Sequence, residues 1–389
     1  MKKSHIFILW AIVVVVLLGM TLSCRKAGDG VPVDKILDRI GASRGICVVL
    51  NDLNCDLALK LALKSELLFY VQLQNSADVE AARQRIDAEG LYGTRIFVEK
   101  GELKKVHLAD NLADALVVLD GDGEVPEKEA LRVLRPQGTA FIGSKELIKP
   151  FPEGVDDWSH PYHGPDNNPQ SVDQVARAPY LTQFLAEPYY APLTQVGVAS
   201  EGRVFKAFGN IAFHEREEAL LNTLVAFNGY NGTILWKRKL TPGFMLHRNT
   251  MIATPETLYM GDDKSCKLID TATGRLKDEI IPPIDVAGGT HWKWMALEDD
   301  TLYALVGEQE QKDPTVRQRR EAHGWPWDPL SKGFNQPEHP WGYGRNLLAI
   351  NPKTKKILWS HHETEKIDSR ALCMRNGRIF IFRFGSYLA

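Results

Sequence analysis

The chain lacks a strong charge of either sign. Its 47 Lys and Arg face 49 Asp and Glu, a formal net charge of -2 over 389 residues. A nucleic-acid surface needs a basic excess, so no nucleic-acid partner is expected. Patterned cysteines are missing too. Five is an odd number, and none stands in CxxC or CxxCH spacing, which removes CxxC-type sites and the c-type haem site. Beyond Cys24, the four others (Cys47, Cys55, Cys266, Cys373) allow a disulfide in an oxidising compartment but specify no pair, and Cys47 lies in an apolar run that reads as core. After the first 22 residues no apolar run is long enough to cross a bilayer. What remains is a 44% hydrophobic chain of ordinary globular composition, with length for two domains.

The one long apolar run is at the start. Lys2 and Lys3 precede Ile6 to Leu18, followed by Met20-Thr-Leu-Ser23-Cys24. A charged start, a short apolar stretch and a small residue before the cut describe a secretory signal over residues 1–23. The Cys after Ser23 makes it resemble a bacterial lipoprotein signal, with Cys24 lipidated, although Thr21 and Leu22 stand in inverted order. The alternative is an uncleaved anchor helix over Ile6–Leu22, 17 residues, at the short limit for a span. Either way the body is expected outside the cytoplasm, in the periplasm or cell envelope, attached to a membrane through a lipid or an anchor helix.

Residues 30–149 alternate between two periodicities. Asp34–Arg39 reads as a helix, Ile46–Leu50 as a buried strand, Asp56–Leu68 as a helix, Phe69–Leu73 as a strand, and Ser76–Glu89 as a helix with Ser76 as N-cap. Arg95–Val98 and Ala115–Leu119 read as strands, Pro126–Leu134 as a helix, and Thr139–Ile142 as a last strand. This alternation predicts an α/β unit, a Rossmann-like doubly wound parallel sheet. Two phrases, Asp110-Asn-Leu-Ala-Asp114-Ala-Leu-Val-Val118 and Glu129-Ala-Leu-Arg-Val-Leu-Arg-Pro136-Gln137-Gly138, resemble the fourth strand and the late turn of class I methyltransferases, which bind S-adenosylmethionine. The resemblance implies a glycine-rich turn after the first strand and an acidic ribose partner after the second. Here the turn reads Asn51-Asp52-Leu53-Asn54-Cys55 without a glycine, so Leu53 stands where the cofactor would lie, and Gln74 (or Gln72) occupies the acidic position. The expectation is a degenerate, inactive methyltransferase-like domain. An active methyltransferase is the alternative.

A linker, residues 150–180, follows. Its centre, Asp156-Asp157-Trp158-Ser159-His160-Pro161-Tyr162-His163-Gly164-Pro165-Asp166-Asn167-Asn168, holds two His three apart. Such a set could line a ligand site, but Pro161 forbids the helix that makes the spacing converge. The competing reading is a structural latch: Trp158 packs inward while Asp and Asn cap turns.

From 181 to 389 a phrase recurs: Leu224-Val-Ala-Phe-Asn228-Gly-Tyr-Asn-Gly232-Thr-Ile-Leu-Trp236, then Lys267-Leu-Ile-Asp270-Thr-Ala-Thr-Gly274-Arg-Leu-Lys277, then Leu347-Leu-Ala-Ile-Asn351-Pro-Lys-Thr-Lys355-Lys-Ile-Leu-Trp359. Each is a β-hairpin pattern. Asn228 to Asp270 is 42 positions and Asp270 to Asn351 is 81, near twice that. A strand-only period of about 40 residues predicts a β-propeller with one four-stranded blade per repeat, whereas a plain antiparallel sandwich needs no fixed period. The phrase resembles the blade motif of pyrroloquinoline-quinone (PQQ) repeat proteins, in which the Trp covers a neighbouring turn and the Asn or Asp caps its own. Asp278 stands where the second Trp should be, and Lys355 replaces the third Gly. A methyltransferase-like domain followed by a PQQ-like propeller also resembles a family of planctomycete-type bacteria. The resemblance implies either a non-enzymatic binding or assembly scaffold or a quinoprotein dehydrogenase requiring PQQ with Ca²⁺. No vicinal Cys pair and no Asp-Glu-Asn calcium set is visible, no metal site is assigned, and the scaffold is the leading expectation.

No catalytic residue can be assigned. The candidate pocket, open to a protein partner or a small ligand at one propeller face, comprises Trp158, His160, His163, Asp166, His214, Glu215, Arg248 and His291; charged loops on a solvated rim would give the same sequence. An insertion between Gly307 and Gly344 carries Arg317-Gln-Arg-Arg320, Trp325, Trp327 and Trp341, and reads as a binding lid or as a cover for the open blade face. Three blades and the start of a fourth are counted before Ala389, so the propeller is expected to be incomplete, closed by further sequence or by a partner.

Overall fold

The computed structural model describes residues 32–41, 43–119, 125–178, 182–192, 194–209, 211–242, 246, 249–310, 316–317, 342–383 and 386–388. The signal segment with Cys24, His247–Arg248, and Trp325, Trp327 and Trp341 of the insertion lie outside the described residues. No helix among the described residues is long and apolar enough to cross a membrane.

The first unit is an α/β sheet. Strands β1 (Ile46–Leu50), β2 (Leu68–Leu73), β3 (Ile96–Lys100), β4 (Ala113–Val118) and β5 (Leu134–Ile142) are parallel, and β6 (Lys145–Ile148) runs antiparallel to β5, in the order 3-2-1-4-5-6. The runs Ile-Cys-Val-Val-Leu and Ala-Asp-Ala-Leu-Val-Val show no alternation because both faces of these central strands are covered. On one side Cys47, Val49, Phe69 and Val71 pack under helices α1 (Val33–Ile40), α2 (Asp56–Lys64) and α3 (Ser76–Ala88). On the other, Val48, Leu50, Leu116 and Val118 meet Ala130 and Val133 of α4 (Glu127–Val133). The winding reverses between β1 and β4, which makes their carboxyl ends the topological switch point.

Several expected boundaries shift. Helix α2 stops at Lys64 because Ser65 turns extended (φ -145°, ψ 174°) and Leu68 already begins β2. Ser76 is the first helical residue of α3 rather than its cap; Asn75 holds that position, and the Ser76 hydroxyl accepts from Lys100 Nζ at 2.9 Å. The Arg135–Gly138 stretch, expected as a turn, lies inside β5, with Gln137 left-handed at φ 64°. The antiparallel β6 was not legible, so the sheet is mixed rather than wholly parallel.

The second half consists of antiparallel meanders in strict chain order. The first is β7 (Thr194–Ser200), β8 (Arg203–Phe208), β10 (Thr223–Asn228) and β11 (Ile234–Lys239), with the short β9 (Ile211–Ala212) between β8 and β10. The second is β12 (Met251–Ala253), β13 (Thr257–Gly261), β14 (Cys266–Asp270) and β15 (Leu276–Ile280). The third is β16 (His291–Glu298), β17 (Thr301–Gly307), β19 (Tyr343–Ile350) and β20 (Ile357–Asp368), with β18 (Val316–Arg317) inside the insertion. Strands β21 (Cys373–Arg375), β22 (Arg378–Arg383) and β23 (Ser386–Leu388) join the far end of β20 through Ile367 and Arg383. Strand β12 packs against both β7 and β16, so the first strands of the three meanders are neighbours. Strand β18 pairs with β9, which carries the insertion of the third meander across to the first.

Candidate functional site

Four places gather the chemistry that the sequence singles out. The first is the linker, whose consecutive residues bond the carboxyl ends of three neighbouring strands. Trp158 exchanges backbone bonds with Ala199 of β7 (3.1 and 2.8 Å), the Ser159 carbonyl accepts from Ala253 of β12 (2.9 Å), and His160 Nε2 accepts from the Leu297 amide of β16 (3.2 Å). Further along, the Pro165 carbonyl accepts from the Met374 amide at 2.7 Å, and Asn167 Nδ2 donates to the Leu372 carbonyl. His160 is 5% exposed, and burial holds its imidazole down at about 4, the neutral state that an acceptor nitrogen requires. His163 Nε2 bonds Asp156 at 2.8 Å and its ring meets Trp158 edge-on at 5.4 Å. Asp166 accepts from the Asn168 amide at 3.1 Å. Trp158, Ser159 and His160 thus bond neighbouring strands, whereas His163 and Asp166 bond within the linker itself.

The remaining pocket candidates are not assembled with them. His291 opens β16, six residues before the Leu297 that His160 touches, which puts the two His roughly 20 Å apart along the strand. His291 is 1% exposed, and beside it the equally buried Lys293 donates to Glu310 at 2.6 Å, so this cluster is interior and not a solvated rim. Burial holds the Lys293 ammonium below its ordinary value. The exposed His214 stands at the N-cap of the 3₁₀ turn Glu215–Leu220, whose buried Glu217 carboxylate accepts from the His214 amide at 3.2 Å. Arg248 is outside the described residues. Among the described residues no group of three or more His, Cys, Asp or Glu could hold a metal, so none can be assigned to the Ca²⁺ that PQQ chemistry would need.

The second place is the crevice above β1 and β4. Asn51 adopts φ 65° and its Nδ2 donates to the Leu119 carbonyl at 3.0 Å, which ties the two strand ends together across the switch point. Asp52, 4% exposed, accepts from the Ala58 amide at 2.9 Å and so occupies a donor in the first turn of α2, where a Rossmann-like site presents its amides to a ligand. Cys55, left-handed at φ 53°, has its thiol pushed up to about 12 by burial. Leu53, expected to fill the cofactor position, is 47% exposed; the crossing of the crevice is made by Asn51 instead. Gln74 follows β2 on the surface. Gln72, the alternative acidic position, is fully buried: its amide donates to the Glu102 and Lys105 carbonyls (2.8 and 2.9 Å) and accepts from the His107 amide (3.1 Å). It anchors the loop between β3 and β4 and cannot face a ribose. Asn51 and Asp52 thus occupy the positions at which a glycine-rich turn would approach S-adenosylmethionine.

The third place is the set of hairpin turns. In all three the Asn or Asp side chain accepts amides of its own turn: Asn228 from Tyr230, Asp270 from Thr273, and Asn351 from Lys353 and Thr354. Gly232, Gly274 and Lys355 hold the same left-handed position, φ 74°, 71° and 62°. Trp236 of the first meander lies over the second turn, its Nε1 donating to the Thr271 carbonyl at 2.9 Å, and a Cβ on Gly274 would come within 2.5 Å of the indole. Phe184 and Ala186 take the corresponding place over Gly232. Over the third turn, Asp278 forms an ion pair with Lys355. The two departures from the repeat are therefore partners: where the Trp is lost, the residue it would have covered has gained a side chain that reaches its replacement. Trp359, 43% exposed, tilts against Tyr303 at 6.0 Å.

The fourth place was not legible in the sequence. Asp114, 3% exposed at the start of β4, accepts from the Ile46 amide (2.8 Å), Arg135 Nε (2.5 Å), Asn228 Nδ2 (3.0 Å) and Asn231 Nδ2 (2.9 Å). Asn231 Nδ2 also reaches the Leu112 carbonyl at 2.9 Å. The first hairpin turn of the meanders is thereby fastened to the α/β sheet through one buried carboxylate. The only signal was an Asp inside an otherwise apolar strand.

Neither a protein-family model nor a curated protein matches the chain. Solved structures similar to it include a SAM-dependent methyltransferase from Aquifex aeolicus (18% identity, TM-score 0.25, covering 28% of this chain and 61% of that one). Geranyl diphosphate methyltransferase in complex with SAM gives 13% identity, a TM-score of 0.25 and coverage of 28% and 46%. The cyclase SpnF gives 20% identity, a TM-score of 0.26 and coverage of 28% and 42%. The match spans about half the length of these proteins.

Proposed function

We propose that the chain is a binding or assembly scaffold: a Rossmann-like unit without a working S-adenosylmethionine site, clamped to a propeller of the PQQ-repeat type. The observation that carries this reading is the crevice, where Asn51 joins the ends of β1 and β4 and Asp52 takes an amide of α2. The propeller is supported by three meanders in chain order whose first strands are neighbours, and by the repeated relation of each last strand to the next turn. Isothermal titration of the protein with S-adenosylmethionine is the test. The expected dissociation constant is about millimolar or weaker, because a site of micromolar affinity rests on roughly 8 kcal/mol. Losing a charge-assisted hydrogen bond removes about 1.5–3 kcal/mol, and a blocked crevice removes a similar amount (about 1–3 kcal/mol).

A methyltransferase is the second reading. It is favoured by the strand order 3-2-1-4-5 with an antiparallel edge strand, and a low-micromolar constant would establish it in place of the first. The dehydrogenase reading is tested by adding PQQ and Ca²⁺ and following dye-coupled alcohol or sugar oxidation, where turnover would overturn the scaffold.

The scaffold is proposed to sit outside the cytoplasm, held at a membrane by lipid on Cys24, on the strength of the Ser23-Cys24 junction after an apolar run. Labelling with a fatty acid should mark the wild type and not Cys24→Ala. Absence of label from both would favour the anchor helix.

A further inference from the structure

A cavity of about 60 Å³ lies where three parts of the chain meet. The α/β unit supplies Gly41 and Arg135, the first meander Glu201, Arg203 and Asn228, and the second meander Ala272. This is several times the space a single water requires. Two of the lining side chains are guanidiniums whose donors are largely unused. Arg203 reaches the Pro255 carbonyl only at 3.5 Å and Glu201 at 3.8 Å, and its Nε and Nη2 have no hydrogen-bond partner among the described residues. Arg135 spends Nε on Asp114 and Nη1 on the Pro136 carbonyl, leaving Nη2. Burial, followed by the charge of Arg135, pulls Arg203 below its ordinary value, against the opposing charges of Glu201 and Asp270. Each guanidinium has one acid beside it, Asp114 on Arg135 Nε at 2.5 Å and Glu201 3.8 Å from Arg203 Nη1, and each keeps further donors: Nη2 of Arg135, and Nε and Nη2 of Arg203.

We propose that this cavity binds a small oxyanion, a phosphate or a carboxylate group, held between Arg135 and Arg203 at the seam of the α/β unit and the first two meanders. Guanidinium forks match both anions, and because Arg135 and Arg203 line one cavity from different parts of the chain, a ligand held by both bridges those parts. Bound there, the anion adds a cross-link to the one Asp114 makes. The inference does not depend on the scaffold reading, since a methyltransferase or a dehydrogenase of this structure would carry the same cavity.

The test is calorimetric titration of the whole protein with inorganic phosphate and, separately, with acetate, at ionic strength fixed with chloride. Saturable binding of one or both is expected. Tighter phosphate binding would identify a phosphate or phosphoester as the natural group, and tighter acetate binding a carboxylate. Arg203→Gln should weaken binding at least tenfold. Ala272→Asp, which keeps both arginines but puts a negative charge in the lining, should do the same. Circular dichroism melts of both variants should match the wild type without ligand, because Arg203 and Ala272 carry little of the packing. No saturable binding of either anion to the wild type overturns the proposal, as does equal binding by wild type and both variants.

Discussion

Asp114 joins the α/β sheet to the first hairpin turn of the meanders. Its four donors come from β1, β5 and the first hairpin turn, and removing the carboxylate unpairs the part-buried Arg135 and takes acceptors from the Ile46 amide and from the Asn228 and Asn231 side chains. Asp114→Ala should therefore cost about 3–5 kcal/mol in chemical denaturation, the scale for breaking a buried pair from one side. His160 sets a pH dependence. Its folded value, about 4, lies below the ordinary 6.5, so the unfolded chain takes up a proton that the folded one refuses. Stability from this group is full above about pH 6.5 and falls as the pH drops towards 4, by roughly 3 kcal/mol in all. Replacing His160 with Gln, which still offers an acceptor to Leu297, should flatten that part of the profile. The two hairpin tryptophans should differ. Trp236 is 8% exposed and bonded to its neighbour's turn, so Trp236→Ala should cost about 3–5 kcal/mol. Trp359 is 43% exposed, and its truncation should cost well under half of that.

The turns show what a sequence pattern can and cannot say about an element. The Asx residue, the left-handed fourth position after it and the covering Trp were all visible as letters at fixed spacing. That Asp278 and Lys355 belong together was not, because they stand 77 positions apart and meet only through the relation of one meander to the next. A double-mutant cycle tests the pairing. Asp278→Trp with Lys355→Gly should raise the melting temperature above the wild type, since Gly relieves a left-handed Lys and admits the indole, while Asp278→Trp alone should lower it by collision with the Lys side chain. Additive effects of the two changes would deny the contact. In the α/β unit, helix and strand types were legible because their periodicity is set by burial on one or two faces. Strand β6 was not, since its four residues are exposed or half exposed and leave no apolar signal.

At the scale of the whole molecule, the linker is what the sequence described least well. Two His three apart suggested convergence on a ligand, and the structure uses them to different ends: one as a neutral acceptor from β16, the other as the partner of Asp156. The latch was readable as an alternative, but its partners, Ala199, Ala253 and Leu297, are spread over a hundred residues and are bonded through groups every residue possesses. The interface with the α/β unit was illegible for the same reason, because an Asp in a strand announces no partner. Through Asp114, Asn228 and Asn231 the Rossmann-like unit is a fixed part of the meander array. Hydrogen exchange of wild type and Asp114→Ala tests it directly. If the unit is so fixed, the variant loses protection both at the start of β4 and in the turn Asn228–Thr233, where the Gly232 and Asn228 amides are bonded within the turn. Loss confined to residues 33–148, with the turn unchanged, would contradict it.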